Sequence, residues 1–224
     1  MGFNYAQRLE REFKRNPRIF TIGSPKLEDY LEALKSKPKR PELSGDMAGV
    51  VEVRQKEQAV TRATDSKPIL ATFGLAGCVS LVGYEERERE RVGFLTHYDA
   101  LTDLGESFTD ILVALYKNGL THNRPNRFDV RIVTGWGYDS AARIINQLRT
   151  LVNHGTSFSM RVVEEDTDYE PQGKSIALDT RTGELFSYDA AKNPHTKDLT
   201  ELERLRIVIP RKADMVYDSG KQEI

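Results

Sequence analysis

Cysteine is nearly absent: Cys78 is the single one in 224 residues. An internal disulfide is therefore excluded, and a reducing cytoplasm is the expected compartment. Tryptophan is as scarce, with Trp136 alone between Gly135 and Gly137. No apolar run approaches the ~20 residues of a membrane span, so none is expected. Met1 to Arg18 is studded with charge and lacks the apolar core of a signal peptide. The net charge is −1, so no overall field draws the chain to nucleic acid or to an anionic membrane. One cysteine and four scattered histidines offer no zinc-ligand spacing, and no metal is expected.

What is present suits a soluble globular protein. Hydrophobic residues make up 38% of the chain and charged residues 30%. A chain of 224 residues can hold one sizeable core, or one domain with an appendage. Residues 1–47 read as an N-terminal helical extension and linker. Tyr5, Leu9 and Phe13 fall on one helical face, and a second short helix is expected over 27–34. The Pro- and Lys-rich stretch 35–41 reads as a linker. Residues 1–45 hold ten Lys/Arg against six Asp/Glu, which suits a partner- or nucleic-acid-binding arm, or a solvated appendage packed on the main body.

From residue 48 the pattern turns regular. Strands are expected over 50–54, 69–72, 79–84, 92–98, 128–134, 159–164, 176–179 and 184–188. Glu85 to Arg91 reads as a charged hairpin tip joining two of them. Phe108, Ile111, Leu112, Leu115 and Tyr116 predict one amphipathic helix with its stop at Gly119. Ile144, Ile145, Leu148, Leu151 and Val152 predict a second, capped at Asp139 or Ser140 and followed by Gly155. A last strand is expected over 205–209, within a C-terminal extension of residues 191–224. The sum is an α+β domain over residues 48–190, a mixed sheet packed by two main amphipathic helices.

Cys78 sits after a glycine-bearing kink, Gly74-Leu75-Ala76-Gly77, between two β-prone runs. A thiol attacks as thiolate and needs a base to take its proton. If 79–84 and 92–98 pair as a hairpin, antiparallel geometry brings the start of one strand to the end of the other. Cys78 and His97 then become neighbours. Gly74 and Gly77 leave backbone amides uncovered, which suits an oxyanion hole. Thr72 can orient the imidazole through its hydroxyl. Residue types alone also suit a small buried cysteine beside a strand-ending histidine. Trp136, Tyr98 and Asp99 are candidates for a substrate groove, and Asp99 is a second candidate to orient His97.

Thr72-Phe73-Gly74-Leu75-Ala76-Gly77-Cys78-Val79, followed by Val92-Gly93-Phe94-Leu95-Thr96-His97, resembles the chemoreceptor glutamine deamidase family, CheD. Phe128 to Gly137, Val162 to Thr167 and Leu178 to Leu185 resemble later segments of that family in the same order. The Leu75-Ala76-Gly77-Cys78 step is also similar to the Leu-Ser-Gly-Cys step of the cytotoxic necrotizing factor and Burkholderia lethal factor toxins. The resemblance implies an α/β sandwich with Cys78 as nucleophile, His97 as base and Thr72 as the residue that positions His97. It implies hydrolysis of a glutamine side-chain amide on a protein substrate, with no cofactor. Ala76-Gly77 stands where the family usually has Gly-Ser, and Tyr98-Asp99-Ala100-Leu101 replaces its apolar-Leu-Pro-like turn.

Overall fold

The computed structural model describes residues 39–87, 90–118, 127–135, 140–154, 159–168, 170, 172–196 and 198–221. The chain divides into two compact units, Met1–Lys39 and Arg40–Ile224. The helices expected over 3–13 and 27–34, and the stretch 35–38 of the linker, lie outside the described residues, as do Trp136, Gly119 and Asp139.

The second unit carries ten described strands: β1 Val50–Glu52, β2 Glu57–Arg62, β3 Ile69–Leu75, β4 Ser80–Arg87, β5 Glu90–His97, β6 Arg127–Val133, β7 Ser159–Asp166, β8 Lys174–Asp179, β9 Glu184–Ser187 and β10 Asp214–Asp218. Its described helices are α1 Leu104–Lys117, α2 Ser140–His154 and α3 Glu201–Ile207. The α+β class is as expected, but the strands form two mixed sheets where one was expected. Four strands run in the order β1-β3-β8-β9, and six in the order β10-β2-β5-β4-β6-β7. Among the described residues, no helix is long and apolar enough to cross a membrane.

The period-two alternation of the central strands explains the layering. Leu81 of β4, Phe94 of β5 and Val130 and Ile132 of β6 face α1 and α2, meeting Phe108, Ile111, Ile144 and Leu148. Their neighbours Val82, Leu95 and Val133 face the second sheet, meeting Leu70, Ile176 and Leu178. Each of these fully buried aliphatic side chains contributes roughly 1.5–3 kcal/mol. The six-stranded sheet is thus covered by helices on one face and by the four-stranded sheet on the other. Val50, Ile69, Ala71, Ala177 and Tyr188 make a third cluster on the outer face of the smaller sheet.

Both amphipathic helices form where the stripes place them. Asp103 caps α1 by accepting from the Glu106 N–H, and Ile111 and Leu115 are fully buried. The hairpin tip is narrower than expected, because β4 runs to Arg87 and β5 begins at Glu90.

Four features depart from the sequence reading. The stretch 205–209 does not form a strand: α3 covers its start. A capping box between Thr200 and Glu203 begins that helix, and Arg204 and Arg206 suit its C-terminal end. Strand β2 was not foreseen, because its buried positions include polar Gln58 and Thr61. Their partners lie far away or in a turn: Gln58 donates to Ser107 O and accepts from Tyr98 Oη, and Thr61 donates to Lys67 O. Strand β10 pairs in parallel with β2, so the segment read as a C-terminal extension supplies an edge of the six-stranded sheet. At the other end, Glu42 bridges to Ser187 and Leu43 is buried, so the compact unit begins before residue 48.

Candidate functional site

Strand β3 alternates between the outer cluster (Ile69, Ala71) and the layer between the sheets (Leu70). Thr72 follows the second set and is fully buried. Beyond Thr72 the pairing of β3 with β8 slips. Gly74 adopts a φ of 71°, and the Ala76 N–H donates to Gly74 O at 2.7 Å, closing a three-residue turn. Cys78 follows, half-buried, and packs against the inter-sheet cluster.

Two further glycines hold this turn from outside. The Gly135 N–H donates to Leu75 O at 2.7 Å, and a Cβ at Gly135 would lie 2.5 Å from that oxygen. Gly173, at φ 77°, lies so close that its Cβ would sit 2.9 Å from Ala76 N. Gly135→Ala should therefore displace the Cys78 turn and cost about 1–3 kcal/mol of stability. Chemical denaturation checks this, and an unchanged midpoint would count against so close a fit.

The antiparallel pair Val79–Tyr98 exchanges two hydrogen bonds, at 2.8 and 2.9 Å. Cys78 precedes one partner and His97 precedes the other, which makes them diagonal neighbours. His97 shares the strand face of Leu95 and points between the sheets. There its Nδ1 lies 2.8 Å from Thr72 Oγ1, across from the opposing sheet. The structure thus brings Thr72 and His97 into contact, with Cys78 at the same end of the same layer. Cys78 makes no hydrogen bond among the described residues.

Burial dominates the electrostatics. It pushes the His97 ring down to about 4, although Asp99 and the Val53 carbonyl favour its charged form. Burial, and then the Asp99 carboxylate, push the Cys78 thiol up to about 12, while Lys56 acts in the opposite direction. At neutral pH the site therefore rests as a thiol and a neutral imidazole. The His97 shift also fixes a stability trend. Between pH 6.5 and about 4 the unfolded chain binds a proton here that the folded chain does not. This contribution is fully present above pH 6.5 and is lost as pH falls toward about 4. The slope approaches about 1.4 kcal/mol per pH unit. Denaturation midpoints across that range should show the slope in the wild type and not in His97→Gln.

Asp99 is nearly buried and well held. It accepts from Gln55 Nε2 at 2.8 Å, from the Leu101 N–H at 2.9 Å and from Thr102 Oγ1 at 2.9 Å. Lys56 Nζ lies 3.6 Å away. Lys56 is fully buried in the left-handed region, φ 61°. Its ammonium donates to Ile207 O and Ile209 O, both at 2.6 Å, at the end of α3. Its N–H donates to His97 O at 2.7 Å, and its C=O accepts from the Asp214 N–H at 2.9 Å. Nothing in the sequence signals this residue, since a lysine in a polar turn reads as solvated.

Gly77 is exposed, and a Cβ there would meet nothing. Among the described residues the N–H groups of Gly77 and Cys78 have no partner. Tyr98 does not line a groove: it is fully buried against the helices, and its hydroxyl donates to Gln58 Oε1 at 2.7 Å. Even alternation puts Tyr98 on the opposite face from His97. Asp99 borders a cavity of about 560 Å³, shared with Ala100, with Thr102–Gly105 and with Arg143, Asn146 and Gln147 of α2. Cys78 and His97 do not line that cavity. Among the described residues, no group of three or more His, Cys, Asp and Glu side chains is placed to hold a metal ion.

No protein-family model matches the chain. A stretch of 80 residues is 38% identical to the DNA mismatch repair protein MutS of Streptococcus agalactiae serotype Ia. It covers 31% of this chain and 9% of that protein, a share too small to assign the chain to a family.

Proposed function

We propose that this protein hydrolyses a glutamine side-chain amide through Cys78, with His97 as general base and Thr72 as its positioning residue. The observation that carries the reading is the 2.8 Å contact between Thr72 Oγ1 and His97 Nδ1 beside the Cys78 turn. If Nδ1–H donates to Thr72, Nε2 is left as the acceptor that a general base needs.

The steps follow from that tautomer. Nε2 takes the Sγ proton as sulfur attacks the carboxamide carbon, so a thiolate need not be stored beforehand. The Gly77 and Cys78 N–H groups receive the oxyanion. The imidazolium gives its proton to departing ammonia, leaving a thioester on Cys78. Water then attacks with His97 again as base, releasing a glutamate carboxylate and restoring the thiol. With the thiol held near 12 and the imidazole near 4 there is no resting ion pair, so the proton moves only as sulfur attacks. The resemblance to the CheD family points to a protein substrate rather than a free amide.

The same shielded thiol, with no hydrogen bond, also favours a second reading, a partner-binding protein that keeps the fold without turnover. Glutamine-bearing peptides and proteins incubated with the chain separate the two. Ammonia release together with conversion of glutamine to glutamate supports hydrolysis. Incorporation of an added primary amine without hydrolysis points to transamidation by the same thiol. Binding of a protein with neither reaction supports the second reading.

A further inference from the structure

One polar group at the site is left without a partner. Ser80 is fully buried, and its Oγ makes no hydrogen bond among the described residues. An orphan hydroxyl costs folding free energy, so its place matters. The pairs Val79–Tyr98 and Val82–Leu95 share one antiparallel register, which sets Ser80 directly across from His97. One step beyond the hydrogen-bonded pair Val79–Tyr98 the ladder opens at this place, and the Leu81 N–H donates to Thr96 Oγ1 at 2.9 Å instead of to a backbone carbonyl. On its other side Ser80 pairs with Val133, an apolar residue of the inter-sheet cluster. Period two also places Ser80 on the face of Cys78, two residues earlier.

We propose that Ser80 is a positioning residue of the Cys78 site, its hydroxyl reserved for the moment when the proton has moved from Cys78 Sγ to His97. This inference rests on the catalytic reading of Cys78 and His97. In the resting state both groups are neutral, and Thr72 Oγ1 lies 2.8 Å from the ring Nδ1. Once the proton moves, a thiolate and an imidazolium stand at the edge of the layer between the sheets, where Cys78 is half-buried and His97 buried. A hydroxyl beside them can donate to the sulfur and accept from the ring N–H, with no net change in its own proton. The groups whose charge bears on this exchange are His97 from β5, Cys78 leading into β4, and Asp99 and Lys56. Thr72 from β3 and Val133 from β6 carry none.

The test uses the fact that Cys78 is the chain's sole cysteine, so alkylation by iodoacetamide reports on it alone. The full chain is compared with Ser80→Ala, Ser80→Thr and His97→Ala. Ser80→Ala removes an unpaired group, so its denaturation midpoint should be unchanged or higher. Its alkylation at neutral pH should nevertheless slow about tenfold, with the pH profile displaced upward by about one unit. An unaltered rate and profile in Ser80→Ala overturns the proposal. Slower alkylation with a lowered midpoint also overturns it, by marking Ser80 as a packing residue. Ser80→Thr keeps a hydroxyl and decides the matter if the alanine variant does not fold: its profile should remain at the wild-type position. His97→Ala separates the two levels. If it slows alkylation while Ser80→Ala does not, only the Ser80 role fails. If it leaves alkylation unchanged, the catalytic reading fails and the Ser80 role falls with it.

Discussion

Cys78→Ala should abolish glutamine hydrolysis, and His97→Ala should lower it by about 10²–10⁴-fold, the usual share of a positioned general base. The two losses differ in kind. Without sulfur no thioester forms, so nothing remains above background. Without the imidazole the thiol remains, but it is held near 12 and has lost its proton acceptor. Raising the pH should therefore recover part of the His97→Ala rate and none of the Cys78→Ala rate. Thr72→Val should fall between wild type and His97→Ala, because it frees the ring to turn without removing it. Ammonia release at several pH values reads all three. Equal activity in the wild type and His97→Ala would remove His97 from the mechanism.

The largest stability effect is expected at Lys56. Lys56→Met keeps most of the volume but leaves Ile207 O and Ile209 O without their donor, and Asp99 without its buried counter-charge. Removing one partner of a buried charged network costs about 3–5 kcal/mol. Lys56 also closes three parts of the chain on one another. Its backbone joins the end of β5 to the start of β10, and its ammonium holds the end of α3. The loss should accordingly appear as a large drop in urea midpoint with the transition still cooperative. A change below about 1 kcal/mol would mean that the C-terminal segment is held by other contacts. The variant should also make the thiol harder to ionise, since the Lys56 charge opposes the effect of Asp99 on Cys78.

The Thr72–His97 contact was legible in the sequence because both residues obey period two. Thr72 follows Leu70 and His97 follows Leu95, each pair sharing the inter-sheet face. A glycine-bearing kink before Cys78 was legible for the same local reason. The division into two sheets was not, because it depends on which distant strands pair. β1 with β3 and β3 with β8 are contacts that no local pattern encodes. Strand β2 escaped because buried Gln58 and Thr61 look solvated until Ser107 O and Lys67 O are seen beside them. The stretch 205–209 misled because β-branched residues suggested a strand, whereas the capping box at Thr200 starts a helix upstream. Tyr98 misled because it follows His97, the candidate base, yet alternation turns the phenol into the opposite layer. Ser80 could have been read two positions after Cys78, but its lack of a partner is visible only in three dimensions.

The most direct measurement is a structure of the protein trapped with a halomethyl ketone analogue of glutamine. One covalent bond is expected, at Cys78 Sγ, with the ketone oxygen received by the Gly77 and Cys78 N–H groups and the imidazole of His97 turned to the sulfur. An unreacted Cys78 in a protein that still hydrolyses glutamine, or a bound analogue whose oxygen points away from those amides, would contradict it.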